Sequence, residues 1–156
     1  MDENRRESPG VTIPPPFIFV GFFAVGLALD RLVPLPAVKS SLATSLGGAF
    51  VVAALVVAVL GFKEFLGART TVRPDREVTT LITGGIFAFS RNPLYLALLM
   101  FYLGMGLLLR HWWPVILAWP LVVAMNRFVI AREEQHLAAR FGEAYADYCR
   151  RVRRWV

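Results

Sequence analysis

Two short stretches carry the side chains with chemical reach. The first is residues 79–95, TTLITGGIFAFSRNPLY, a polar, glycine-containing segment that ends in Arg91-Asn92-Pro93-Leu94-Tyr95. The second begins with Glu133-Glu134 and continues through Phe141-Gly142-Glu143-Ala144-Tyr145, Tyr148 and Arg150-Arg151-Val152. Gly84-Gly85 permits backbone conformations closed to other residues. Pro93 biases Asn92 away from the α region and suits the first turn of a helix. A structured loop feeding a helix, with backbone N–H groups near the helix start, is a place to hold a polar ligand. Adjacent carboxylates beside aromatic rings suit a cationic one. Each feature also has a plain reading: Glu133-Glu134 as a solvated turn, and Asn92 as a simple helix cap.

The elements that must position these residues are apolar helices. Of 156 residues, 56% are hydrophobic, and the mean hydropathy is positive. That is too apolar for an ordinary soluble domain of this size. The expected fold is an all-α integral membrane protein with about four transmembrane helices, a cytoplasmic cofactor-binding loop and a C-terminal amphipathic helix. A polar, Pro-rich tail, 1–16, precedes a single membrane domain, 17–156, and no signal peptide is expected. The spans are expected at about 17–35, 42–65, 94–109 and 114–130, followed by a cytoplasmic helix over 131–154. Within the second, Ala43, Gly47, Ala54, Ala58 and Gly61 share one face, a pattern that lets membrane helices pack closely. Asp30 and Arg31 read as a neighbouring pair at the water boundary. His111 reads as a surface residue of a Trp112-Trp113 interfacial belt. Pro120 is expected to kink the fourth span. Leu137, Phe141, Tyr145, Tyr148 and Val152 recur on one face of the terminal helix.

Charge orients the chain. Of its 17 basic residues, only Arg31, Lys39 and Arg110 fall in the two loops of one side. The positive-inside bias then puts both termini and the central segment in the cytoplasm, on the same side as both chemical stretches. The expected location is a bacterial inner (cytoplasmic) membrane. The net charge of +6 is assigned to topology and anionic lipid rather than to nucleic acid. A single cysteine, Cys149, excludes an internal disulfide. No metal site is expected.

The first stretch resembles the isoprenylcysteine carboxyl methyltransferase family and, more loosely, the phospholipid methyltransferases. The resemblance rests on Thr83-Gly84-Gly85-Ile86-Phe87 leading into Arg91-Asn92-Pro93-Leu94-Tyr95, and on the second stretch following in order after a hydrophobic hairpin. It covers about half the chain. Asn92 stands where the family has a histidine, and Phe87 where it usually has a tyrosine. The resemblance implies a methyltransferase using S-adenosylmethionine and a lipophilic, isoprenylcysteine carboxylate-like or related substrate reached from the bilayer. It implies cofactor-binding roles for Thr80, Leu81, Ile82, Gly85, Phe87, Asn92, Pro93, Leu94, Tyr95, Glu133 and Glu134. Arg91 or Arg127 would orient a substrate carboxylate. Two other classes compete: a membrane reductase using a nicotinamide cofactor, and a non-enzymatic membrane scaffold.

Overall fold

A computed structural model describes residues 14–36, 41–67 and 80–156. Residues 1–13 of the expected 1–16 tail, the middle of the first loop and the start of the central segment lie outside the described residues. Among those described, every regular element is helical. The helices are α1 (Pro15–Leu32), α2 (Ser41–Gly67), α3 (Pro93–Leu108), α4 (Trp112–Ala124), α5 (Ala131–Phe141) and α6 (Glu143–Arg151). A 3₁₀ turn, Gly85–Ala88, precedes α3, and a π-helical stretch, Met125–Ile130, joins α4 to α5.

Three helices are long and apolar enough to cross a membrane: Pro15–Leu32, Ser41–Gly67 and the continuous Trp112–Phe141. The chain is an integral membrane protein. In the last of the three the apolar run stops at Ile130, and the polar residues of α5 lie beyond it. The fourth apolar helix, α3, is shorter. Pro93 sets its start at N1, where a missing N–H costs nothing. Its other end is closed by Leu109 and by Arg110, which adopts φ 62°. At 1.5 Å per residue its 16 residues span about 24 Å, less than the hydrocarbon thickness. The site loop therefore enters close to the bilayer boundary.

Helix α3 is the hub. Helix α2 lies along it through reciprocal glycine contacts. A Cβ on Gly47 would stand 2.9 Å from the Gly104 carbonyl oxygen, and one on Gly104 would stand 2.8 Å from the Gly47 carbonyl oxygen. Gly47, Ala54 and Gly61 are buried, so the small-residue face of α2 serves an internal helix contact. Helix α1 packs on α4, with Gly26 against Pro114, and on α3, where Phe19 and Phe23 meet the Tyr102 ring edge-to-face. The core gathers Phe19, Tyr102, Ala118, Leu121, Met125, Val129 and Ile130. Large side chains such as Val52, Leu55, Val59 and Trp119 stay exposed, as lipid-facing residues should.

Four expectations need correction. Helix α1 starts at Pro15, so the last two residues of the Pro14-Pro15-Pro16 run are helical; proline's fixed φ suits a first turn. Pro120 lies inside α4, and the departure from α-helical geometry comes at the π-helical stretch that begins five residues on. The terminal helix is not continuous over 131–154. It breaks at Gly142, which takes φ 51°, and α6 ends at Arg151. A positive φ at Gly142 turns the chain without the Cβ penalty other residues would incur. Finally, Asp30 is tied across the bundle, its carboxylate meeting His111 Nδ1 at 2.8 Å, while Trp113 Nε1 donates to the Val33 carbonyl at 2.8 Å. These contacts close the end of the bundle opposite Tyr95.

Candidate functional site

The site is assembled where the loop before α3 meets the C-terminal residues. Gly85 adopts φ 56° and opens the 3₁₀ turn. The turn buries Phe87, whose ring meets Phe65 of α2 edge-to-face at 5.5 Å. Tyr148 of α6 donates its hydroxyl to the Phe87 carbonyl at 2.7 Å. Beside this, Tyr145, Tyr148 and Val152 form a small core with Leu81, Leu137 and Phe141 packed on it. The shared face read from the sequence is therefore a packing face.

A seam of hydrogen bonds then stitches the loop to the last residues. The Arg91 N–H donates to the Arg153 carbonyl at 3.0 Å. Asn92 Nδ2 donates to the Arg154 carbonyl at 3.0 Å. Ser90, only 2% exposed, accepts from the Asn92 N–H at 3.1 Å, and its hydroxyl donates to the Arg154 carbonyl at 3.5 Å. Asn92 does occupy the N-cap position of α3, but its side chain makes no capping bond. Its amide holds the C-terminal strap instead. Trp155 Nε1 donates to Asn126 Oδ1 at 3.1 Å and extends the strap to the π-helical stretch.

The two glutamates divide. A π turn carries an extra residue and rotates the downstream helix by about 100° relative to an uninterrupted α-helix. Glu133 and Glu134 come from the first turn of α5, just beyond it. Tyr95 donates its hydroxyl to Glu133 Oε1 at 2.5 Å. Burial pushes the Glu133 carboxyl up to about 7; the Tyr95 hydrogen bond opposes that rise and the neighbouring Glu134 charge adds to it. Glu134 points elsewhere. Arg154 grips it in two-pronged fashion, Nε to Oε1 at 3.0 Å and Nη2 to Oε2 at 2.5 Å. Arg91 Nη1 lies 3.2 Å from Glu134 Oε1 and donates to Cys149 Sγ at 2.6 Å. The Glu134 hydrogen bond holds the Arg154 guanidinium above its ordinary range. Of the expected carboxylate pair, one member is thus neutralised by arginine, while Glu133 meets Tyr95 and, among the described residues, pairs with no cation.

The structure brings together Leu81, Phe87, Arg91, Asn92, Tyr95, Glu133 and Glu134. Pro93 is fully buried beneath them. Leu94 turns to α2, where its Cδ2 would lie 2.7 Å from a Cβ on Gly61. Ile82 is half-buried within the loop, and Thr80 is exposed at its edge. Arg127 is exposed on the π-helical stretch, away from these contacts. Three participants escaped the sequence reading. Arg154 was one of many terminal arginines. Glu64 of α2 reaches the loop, where its Oε1 would collide with a Cβ on Gly85. His136 has Nε2 buried with no hydrogen-bond partner among the described residues, as does Arg91 at Nε. Only for Glu64 was there a signal: it stands three residues after Gly61, on the same helix face.

No group of three or more His, Cys, Asp or Glu that could hold a metal ion occurs among the described residues. No solved structure matches the chain at a significant level. An uncharacterized protein of Haemophilus influenzae is similar, 39% identical over 66 residues, which is 40% of this chain and 100% of that one. The profile of the phospholipid methyltransferase family matches residues 42–144, a region holding the site loop, Tyr95 and both glutamates. This chain belongs to the phospholipid methyltransferase family and is a membrane methyltransferase.

Proposed function

We propose that the protein binds S-adenosylmethionine at this site and transfers its methyl group to a lipophilic acceptor that enters from the bilayer, with the site on the cytoplasmic face of a bacterial inner membrane. The observation that carries the reading is Glu133: a carboxyl group buried against Tyr95, with its neighbour Glu134 already held by Arg91 and Arg154. A buried carboxyl that is left unpaired favours a cationic ligand, because the ligand's charge offsets the cost of ionising it. The residues present fit the cofactor. Glu133 would face the ammonium or sulfonium, and Arg91 Nε, buried with no partner among the described residues, is a polar atom that a polar ligand would satisfy. The basic-residue count supports the orientation.

When bound, the cofactor supplies an electrophilic methyl group on a sulfonium. The chain contributes binding, alignment and dryness. Tyr95 holds the ionised Glu133 carboxylate by a charge-assisted hydrogen bond. The rigid Asn92-Pro93-Leu94-Tyr95 corner, pinned by Pro93 inside the bundle and by Asn92 to the strap, fixes the ligand's approach. The strap, held by Glu134, walls off water.

The test is calorimetric binding of S-adenosylmethionine to the detergent-purified protein, beside Glu133→Ala and Asn92→Ala. Wild-type binding that is lost in Glu133→Ala supports the reading. A folded, monodisperse protein that binds none, or a Glu133→Ala variant that binds normally, overturns it.

A further inference from the structure

Helix α4 and the π-helical stretch carry a row of exposed side chains on their outer side. Trp112, Ile116, Trp119 and Val123 are 39% to 76% exposed, Trp119 the most. Their spacing of four, three and four residues puts them on one helix face. Arg127, also exposed, comes four residues after Val123 and continues the row. In an integral membrane protein this row faces lipid. The apolar run of the same helix stops at Ile130, so at 1.5 Å per residue Arg127 sits about 4–5 Å inside that boundary. A guanidinium on the lipid side of a spanning helix reaches for the headgroup level and meets an anion there. A second guanidinium borders the same place. Trp155 Nε1 donates to Asn126 Oδ1 at 3.1 Å, which seats the strap beside the residue that precedes Arg127. Arg153 is two residues from Trp155, so their Cα atoms are at most about 7 Å apart. Its carbonyl accepts the Arg91 N–H at 3.0 Å, and its side chain is exposed.

We propose that this face binds one phospholipid of net negative charge, with an alkyl chain along Ile116, Trp119 and Val123 and its phosphate between Arg127 and Arg153. The lipid is a boundary ligand on the outside of the bundle, separate from the methyl acceptor, and its binding does not depend on the methyl-transfer reading. Charge decides its class. One phosphate between two guanidinium groups leaves positive charge in excess, so a headgroup that carries an ammonium is repelled and one without it is accepted. The exposed row covers the chain, and the arginines fix the depth of the phosphate. A phosphate shared by Arg127 and Arg153 also fastens the strap to the π-helical stretch, beside the Trp155–Asn126 hydrogen bond.

The experiment places the full chain in nanodiscs of phosphatidylcholine and phosphatidylglycerol. Lipids brominated on the chain quench tryptophan fluorescence on contact, and the part of the signal that Trp119→Phe removes reports on this face. Moving the bromine from one lipid to the other gives their relative affinity there. Wild type is expected to favour phosphatidylglycerol by about fivefold or more, the range of one or two basic side chains at a lipid surface. Arg127→Gln should lose about fivefold of that preference, and Arg127→Lys should keep most of it. Arg110→Gln removes the same charge at the opposite end of the bundle, beyond the reach of screened charge, and should leave the preference unchanged. Excess inorganic phosphate should not displace the brominated lipid. A wild type without the preference, or an Arg127→Gln variant that keeps it, overturns the proposal. So does an equal loss in Arg110→Gln, which would reduce the effect to diffuse net charge. Displacement by inorganic phosphate overturns it as well, because the arginines would then hold a free anion rather than a lipid.

Discussion

Replacing Glu133 by Gln isolates the most consequential ionisation in the site. The carboxyl group titrates near 7 in the folded protein and at 4.5 as a model group. Below 4.5 it is protonated in both the folded and the unfolded chain. Between 4.5 and 7 the unfolded chain ionises it while the folded one holds the proton. The folded state then binds more protons, and stability falls as pH rises through this window. Above 7 both states are ionised and the difference is constant. The full loss is about 3 kcal/mol. Gln has nearly the same shape, can accept the Tyr95 hydroxyl and does not titrate. Glu133→Gln should therefore match wild type near pH 4.5 and exceed it by about 3 kcal/mol at pH 8. The assay is urea unfolding in a mild detergent, read as the difference between the two proteins at each pH. S-adenosylmethionine binding should move the other way. Wild type tightens as Glu133 ionises, and Glu133→Gln binds weakly with little pH dependence. A stability difference that is flat from pH 4.5 to 8, or that favours wild type at high pH, would refute the reasoning, because it would mean the carboxylate is already paired.

The strap and the helix packing give two further expectations. Arg154→Ala removes the two-pronged grip on Glu134 but leaves Arg91 and the backbone seam. Since the Arg154 side chain is 38% exposed, the cost should be about 1 kcal/mol, seen as roughly fivefold faster proteolysis of the C-terminal residues at unchanged bundle stability. Gly104→Ala drives a Cβ onto the Gly47 carbonyl and Val51, backbone atoms that cannot swing aside. A loss of about 1–3 kcal/mol is expected in the same unfolding assay.

Composition and periodicity were enough to establish a helical membrane protein. Long apolar runs must satisfy their backbone groups internally once in lipid, and helices do that within one segment. The glycines of α2 and α3 announced close packing for the same kind of local reason: a missing Cβ is visible in one dimension. The motif order also placed Tyr95 and Glu133 in one neighbourhood. What each side chain does there was decided by contacts far apart in the chain. Glu133 and Glu134 are adjacent and alike, yet one meets Tyr95 and the other meets Arg91 and Arg154, because a helix turns consecutive residues by about 100° and the π-helical stretch sets the phase. Asn92 has the position of a cap and the work of a strap anchor. Gly142 breaks a pattern that reads as one helix, since amphipathic spacing survives a turn that only a backbone angle reveals. Glu64 has the composition of a headgroup residue, and only the fold sets it against Gly85.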